Sequence, residues 1–169
     1  FYLYTPSGLD ATQGAPVVFV LHGCTQQASD ARNFGWEKIA DAQRFYVAYP
    51  EQPSANNPVK CFNWAGEYGD TANLTRGQGE NQSVASMVDF LRTNKKIDPK
   101  RVFVAGFSAG AAMVPVLLST WPDLFAAGAV NSGLPYRCAT TVNDAYSCQN
   151  KGRDRAPAEW GNDVRQAFS

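Results

Sequence analysis

An α/β fold, with a mostly parallel sheet and helices on both faces, is what this sequence predicts. Three observations carry that reading. Apolar β-branched runs alternate along the chain with stretches of helical periodicity, the order that builds a parallel sheet. The run Pro16-Val17-Val18-Phe19-Val20-Leu21 is continuously apolar, as expected of a strand covered on both faces. Between the strand Arg101-Val102-Phe103-Val104-Ala105 and the apolar Ala111-Ala112-Met113-Val114 stands Gly106-Phe107-Ser108-Ala109-Gly110, a serine on a turn from strand to helix.

Taken in order, Phe1-Tyr2-Leu3-Tyr4 reads as a short edge strand stopped by Thr5-Pro6-Ser7-Gly8. The strand at 16–21 ends in the polar turn His22-Gly23-Cys24-Thr25-Gln26. Residues 30–44 carry helical spacing around Phe34, Trp36, Ile39 and Ala40, which predicts one helix. Phe45-Tyr46-Val47-Ala48-Tyr49 is the next strand, closed by Pro50. Residues 51–79 form a long irregular loop, and loops of that length in compact domains usually serve a site. The next helix, 80–94, presents Val84, Met87, Val88 and Leu91 on one face. Gly77-Gln78-Gly79-Glu80 lacks the lysine of a phosphate loop and reads as the start of that helix, with Glu80 near the positive end of its dipole. After the serine turn a helix at 109–120 stops before Pro122, and Pro115 inside it is expected to kink the axis. Residues 125–130 read as a small-residue strand that ends the sheet as an uncovered parallel edge. Beyond Gly133 the pattern dissolves into loop, with a weak helix at 158–168.

The 169 residues amount to one domain with enough apolar content for a core. Lys plus Arg number 15 and Asp plus Glu number 15, so nothing electrostatic draws the chain to nucleic acid or an anionic membrane. No apolar run approaches the ~20 residues that cross a bilayer. The chain starts Phe-Tyr-Leu-Tyr, without methionine or a signal-like stretch, and that start reads as trimmed. Cys24, Cys61, Cys138 and Cys148 permit three pairings and show no metal-ligand spacing, so neither metal nor cofactor is expected. Cys138 with Cys148 would close a short polar loop and is favoured; Cys24 with Cys61 would tie together two long loops. Disulfides would place the protein in a secreted or periplasmic setting, against the alternative of four reduced cysteines in the cytosol. Asn73-Leu74-Thr75 and Asn81-Gln82-Ser83 match glycosylation sequons, a pattern that arises easily by chance.

The chemistry centres on Ser108. A serine on a sharp strand-to-helix turn, with small residues two places either side, is the nucleophile elbow of the α/β-hydrolases. The bare five-residue motif arises by chance in roughly a few per cent of chains this long, so its strand and helix context carries the inference. A tetrahedral oxyanion needs backbone donors, and the Ala109 amide and the Cys24 amide stand in the two positions that supply them. His22 precedes the nucleophile and reads as an orienting residue of the oxyanion loop, not as the base. No histidine follows Ser108, and Asp123, Asp144, Asp154, Glu159 and Asp163 offer no assignable triad acid. Asp123, beside Pro122 at a helix end, reads as a cap. Trp64, in Cys61-Phe62-Asn63-Trp64, either lines an acyl pocket or packs its loop for stability.

Taken together, Leu21-His22-Gly23-Cys24-Thr25-Gln26, Tyr49-Pro50-Glu51-Gln52, Cys61-Phe62-Asn63-Trp64, the serine turn and Ser132-Gly133-Leu134-Pro135-Tyr136 make the chain resemble the poly(3-hydroxybutyrate) depolymerase family of esterases, related to feruloyl and acetylxylan esterases. The resemblance implies an α/β-hydrolase fold and ester hydrolysis through an acyl-enzyme at Ser108, with Cys24 and Ala109 as oxyanion donors and Trp64 close to substrate. The stretch that brings the triad Asp and His in that family has no counterpart here. Residues 1–169 are therefore expected to be the N-terminal part of one catalytic domain, completed on the same or a nicked second chain. The expected partner is an ester, a polyester such as poly(3-hydroxybutyrate) or its oligomers. A feruloyl or acetylxylan esterase is the alternative enzyme, and a non-catalytic binding module derived from a hydrolase is the alternative class.

Overall fold

The computed structural model describes residues 1–66 and 71–168. Five strands form one sheet: β1 (Tyr2–Tyr4), β2 (Ala15–Leu21), β3 (Tyr46–Tyr49), β4 (Ile97–Phe107) and β5 (Ala127–Asn131). Their spatial order is β1-β3-β2-β4-β5. β1 runs antiparallel to β3, and the other neighbours are parallel. Six α-helices accompany them among the described residues: α1 (Ala28–Arg32), α2 (Trp36–Gln43), α3 (Gly79–Lys95), α4 (Ala109–Thr120), α5 (Val142–Lys151) and α6 (Pro157–Ala167).

The unbroken apolar run of β2 is explained by two cores. Val17, Phe19 and Leu21 point to the side of α3 and α4, among Val84, Val88, Leu91, Met113 and Leu117. Val18 and Val20 point to the other side, among Ala28, Ala31, Ala40, Val47 and Tyr49. Each such fully buried Val or Leu contributes about 1.5–3 kcal/mol, so neither face of β2 tolerates a polar residue. α4 is buried nearly all round, as its uniformly apolar sequence requires. It runs unbroken through Pro115.

Three expectations need correction. The single helix at 30–44 is two, because Gly35 takes a left-handed φ of 91° that ends one register and starts another. Phe34 and Ile39, two of the residues that carried that spacing, are exposed. Ala31 and Ala40 are both buried, which is why the apolar spacing reads straight across the break. The last strand lies two residues later than expected, and Phe125 is instead a core residue whose ring meets Phe19 edge-on at 6.2 Å. The loop beyond Gly133 contains α5, capped by the Thr141 side chain accepting from the Asp144 amide at 3.1 Å. Part of the long loop, residues 67–70, lies outside the described residues; residues 71–74 form a short 3-10 turn.

All five residues of β5 are exposed, and among the described residues β4 is its sole strand neighbour. Both expected disulfides are present, Cys24–Cys61 and Cys138–Cys148. No helix among the described residues is long and apolar enough to cross a membrane. Both sequon asparagines are buried: the Asn81 NH2 donates to the Asn73 and Thr75 carbonyls, and the Asn73 side-chain oxygen accepts from the Glu80 amide.

Candidate active site

β2 and β4 end side by side, with Leu21 paired to Gly106. That register sets the loop after β2 against the turn after β4. Ser108 occupies the turn at φ 55° and ψ −122°, a conformation rare for a residue with a side chain. It is held on both sides: its amide donates to the Asn131 carbonyl at 3.1 Å, and its carbonyl accepts from the Ala112 amide at 2.9 Å. Both motif glycines are required sterically. A Cβ on Gly106 would lie 2.3 Å from the Gly110 carbonyl oxygen. A Cβ on Gly110 would lie 2.4 Å from the Leu21 carbonyl oxygen.

The loop after β2 touches the serine directly. A Cβ on Gly23 would stand 3.2 Å from the Ser108 Cβ. Around it the loop amides are spoken for, with Gly23 donating to Gln26 Oε1, Thr25 to Val59, Gln26 to Gly23 and Gln27 to Asp30. The Cys24 amide alone in this run donates to nothing among the described residues. The Ala109 amide, at the first position of α4, is likewise without an acceptor among them. Two open N–H groups therefore flank the serine, the inventory an oxyanion needs.

His22 is fully buried, with its ring 4.9 Å from that of Phe62. The Gln52 amide donates to its Nε2 at 3.1 Å, so Nε2 carries no proton; Nδ1 therefore carries the hydrogen and donates to the Gly23 carbonyl at 2.7 Å. Burial holds the ring below its ordinary pKa and thus neutral. With both nitrogens engaged, His22 does not serve Ser108 as a base.

Trp64 is buried and, with Ser108, Ala109, Ala112, Ser132, Leu134 and Gln149, lines a pocket of about 160 Å3. A larger groove of about 520 Å3, lined by Phe34, Trp36, Phe107 and Asn131, lies beyond Phe107 and does not include the serine. Of the wall residues, Gln149 was hidden in the stretch read as loop; the Thr141-Val142-Asn143-Asp144 cap was the signal for its helix. Glu80 is more than a helix-start charge. Its buried carboxylate accepts from the Asn63 amide at 2.5 Å, from Asn56 Nδ2 at 3.0 Å and from Gln52 Nε2.

Four of the five carboxylates after Ser108 have partners elsewhere. Asp123, read from sequence as a cap, is instead gripped through both oxygens by Arg76 at 2.8 Å, which holds its pKa down. Asp163 pairs with Arg155, Glu159 accepts from the Ala156 amide, and the Asp144 carboxylate accepts from Thr140 Oγ1 at 3.5 Å. Among the described residues Ser108 stands beside two open amides, and no side-chain hydrogen bond reaches its hydroxyl. No cluster of His, Cys, Asp and Glu suited to a metal occurs among the described residues.

A mostly parallel sheet, a serine on the turn from β4 to α4 and the loop after β2 set against it define an α/β-hydrolase fold. A family model described as Esterase PHB depolymerase matches residues 1–164, and the chain belongs to that esterase family. It is 47% identical over 168 residues to the Poly(3-hydroxyalkanoate) depolymerase C of Paucimonas lemoignei, covering 99% of this chain and 39% of that protein. It is 33% identical over 173 residues to an acetylxylan esterase of Coprinopsis cinerea, covering 99% of this chain and 44% of that one. Among solved structures, the acetyl xylan esterase from Aspergillus awamori superposes with a TM-score of 0.89 at 27% identity, over 99% of this chain and 61% of its own. The chain thus spans less than half the length of these two curated relatives.

Proposed function

We propose that these residues form the nucleophile-bearing part of a serine carboxylic-ester hydrolase that acts through an acyl-enzyme at Ser108. The observation that carries this reading is the strained Ser108 turn set beside two amides, Cys24 and Ala109, with no other acceptor among the described residues. Ser108 Oγ attacks the ester carbonyl carbon and gives its proton to a base. The oxyanion is received by the two amides, and its collapse breaks the ester C–O bond and expels the alcohol with a proton. Water then attacks the acyl-enzyme and frees Ser108.

The base and its carboxylate partner are proposed to lie outside residues 1–169, on the same or a nicked chain. The open side of β5 is where that further part of the domain pairs. Amide exchange in the full-length protein tests this: slow exchange at 127–131 is expected, and exchange as fast as in a frayed edge would refute it.

The proposed substrate is a poly(3-hydroxybutyrate)-type polyester or its oligomers, supported by the 47% identity to a depolymerase. Acetylxylan or feruloyl ester hydrolysis is the second reading, supported by the superposition on an acetyl xylan esterase. Release of 3-hydroxybutyrate, as against acetate or ferulate, from matched substrates decides between them; release of none supports the non-catalytic module. Two disulfides support a secreted or periplasmic setting.

A further inference from the structure

We infer that Glu80 is a positioning residue for the oxyanion donor on Cys24, acting through Gln52 and His22; this rests on the esterase reading above. The chain of contacts is continuous. The Glu80 carboxylate takes a hydrogen bond from the Gln52 side chain. The Gln52 backbone amide donates to His22 Nε2 at 3.1 Å, which fixes the tautomer and leaves Nδ1 to donate to the Gly23 carbonyl at 2.7 Å.

The last link decides the geometry. The Gly23 carbonyl and the Cys24 N–H belong to one peptide unit, which is planar and trans, so they point in opposite directions. Holding the carbonyl against the buried imidazole therefore turns the Cys24 N–H away from the interior. That N–H is the unbonded one in a loop that abuts Ser108. The same carboxylate accepts from the Asn63 amide, next to Trp64, and so anchors the pocket wall as well. Glu80 sits in the first turn of α3, where the helix dipole favours a negative charge. A glutamine there keeps the shape but turns an NH2 group toward a donor, either Asn63 N–H or the Gln52 and Asn56 amides.

The test compares wild type, Glu80→Gln and Asn56→Ala in the full-length protein, with active sites counted by a serine-directed phosphonate. Misaiming one oxyanion donor should lower kcat per titrated site by about tenfold or more and leave KM within about threefold, because the contact matters in the transition state. Asn56→Ala removes a donor shared by the Glu80 carboxylate and the Gln52 side-chain oxygen but leaves both the Gln52–Glu80 and the Gln52–His22 hydrogen bonds in place, so its kcat should stay within about twofold of wild type. Equal kcat per titrated site in wild type and Glu80→Gln overturns the inference, as does an equal loss in Asn56→Ala. If Glu80→Gln merely fails to fold, Glu80→Asp is read in its place: a shortened carboxylate that retains full kcat per site also overturns it. A wild type that neither labels nor turns over overturns the esterase reading itself and this inference with it, which separates the two failures.

Discussion

Gly110 lies so close under Leu21 that a methyl group added to it would stand 2.4 Å from the Leu21 carbonyl oxygen and 2.5 Å from that of His22. The first turn of α4 and the end of β2 are thus in backbone contact, and that contact sets the donor loop beside the serine. Replacing Gly110 by alanine must push the two apart, because the obstructing atoms are main chain. Gly110→Ala should cost about 1–3 kcal/mol in denaturant unfolding and abolish phosphonate reactivity at Ser108. A fully reactive, fully stable variant would show that the packing at the elbow is looser than described.

The two disulfides should differ in effect. Cys24–Cys61 closes a separation of 37 residues and Cys138–Cys148 one of 10. Chain-entropy reasoning gives about 4 kcal/mol for the first and about 3 kcal/mol for the second. Paired Cys→Ala substitutions followed by chemical denaturation check the order. Losing Cys24–Cys61 should also lower turnover, since that bond anchors the residue carrying a proposed oxyanion amide. Equal turnover in both double variants would contradict that second effect.

His22 makes stability depend on acid. Its folded pKa lies below its ordinary value, chiefly because burial penalises the charged ring. The unfolded chain takes up a proton near pH 6.5 while the folded ring stays neutral, so between the two pKa values the unfolded state holds more protons. This contribution is complete above about pH 6.5 and is lost as pH falls, by up to about 1.4 kcal/mol per pH unit. Urea unfolding of wild type and His22→Asn at several pH values should give a stability difference that is flat above that point and shrinks below it. A difference that grows on acidification would contradict a neutral His22.

The pocket beside Ser108 predicts a size limit. About 160 Å3 is close to the roughly 150 Å3 cavity known to hold benzene, so an acyl group of about six non-hydrogen atoms, such as 3-hydroxybutyryl, fills it. Leu134→Trp should reduce kcat/KM for 3-hydroxybutyryl esters by about 10–200-fold more than for acetyl esters. Equal losses on both would mean that the acyl group binds elsewhere.

Much of this was legible before any coordinates. The elbow, the donor loop and the alternating strands are written in local chemistry: glycines where backbones touch, apolar runs where two cores meet. What stayed hidden depends on tertiary partners. α5 carries Asn143, Asp144, Ser147, Gln149 and Asn150 instead of an apolar stripe, and it is tied to the body through Cys148, so periodicity could not reveal it. The break at Gly35 was masked because Ala31 and Ala40 face the same core from separate helices. Glu80 read as a helix-start charge because its partners, Gln52, Asn56 and Asn63, come from a loop with no periodic signal. Of the proposed catalytic groups, the nucleophile and donors have sequence signatures, whereas the one histidine of the chain is bonded at both ring nitrogens.

The most direct measurement treats the full-length protein with a serine-directed phosphonate and maps the adduct by peptide mass. One covalent adduct on Ser108, abolished by Ser108→Ala, is the predicted result. An unmodified Ser108 in protein that still hydrolyses esters, or an adduct on a different serine, would contradict the account.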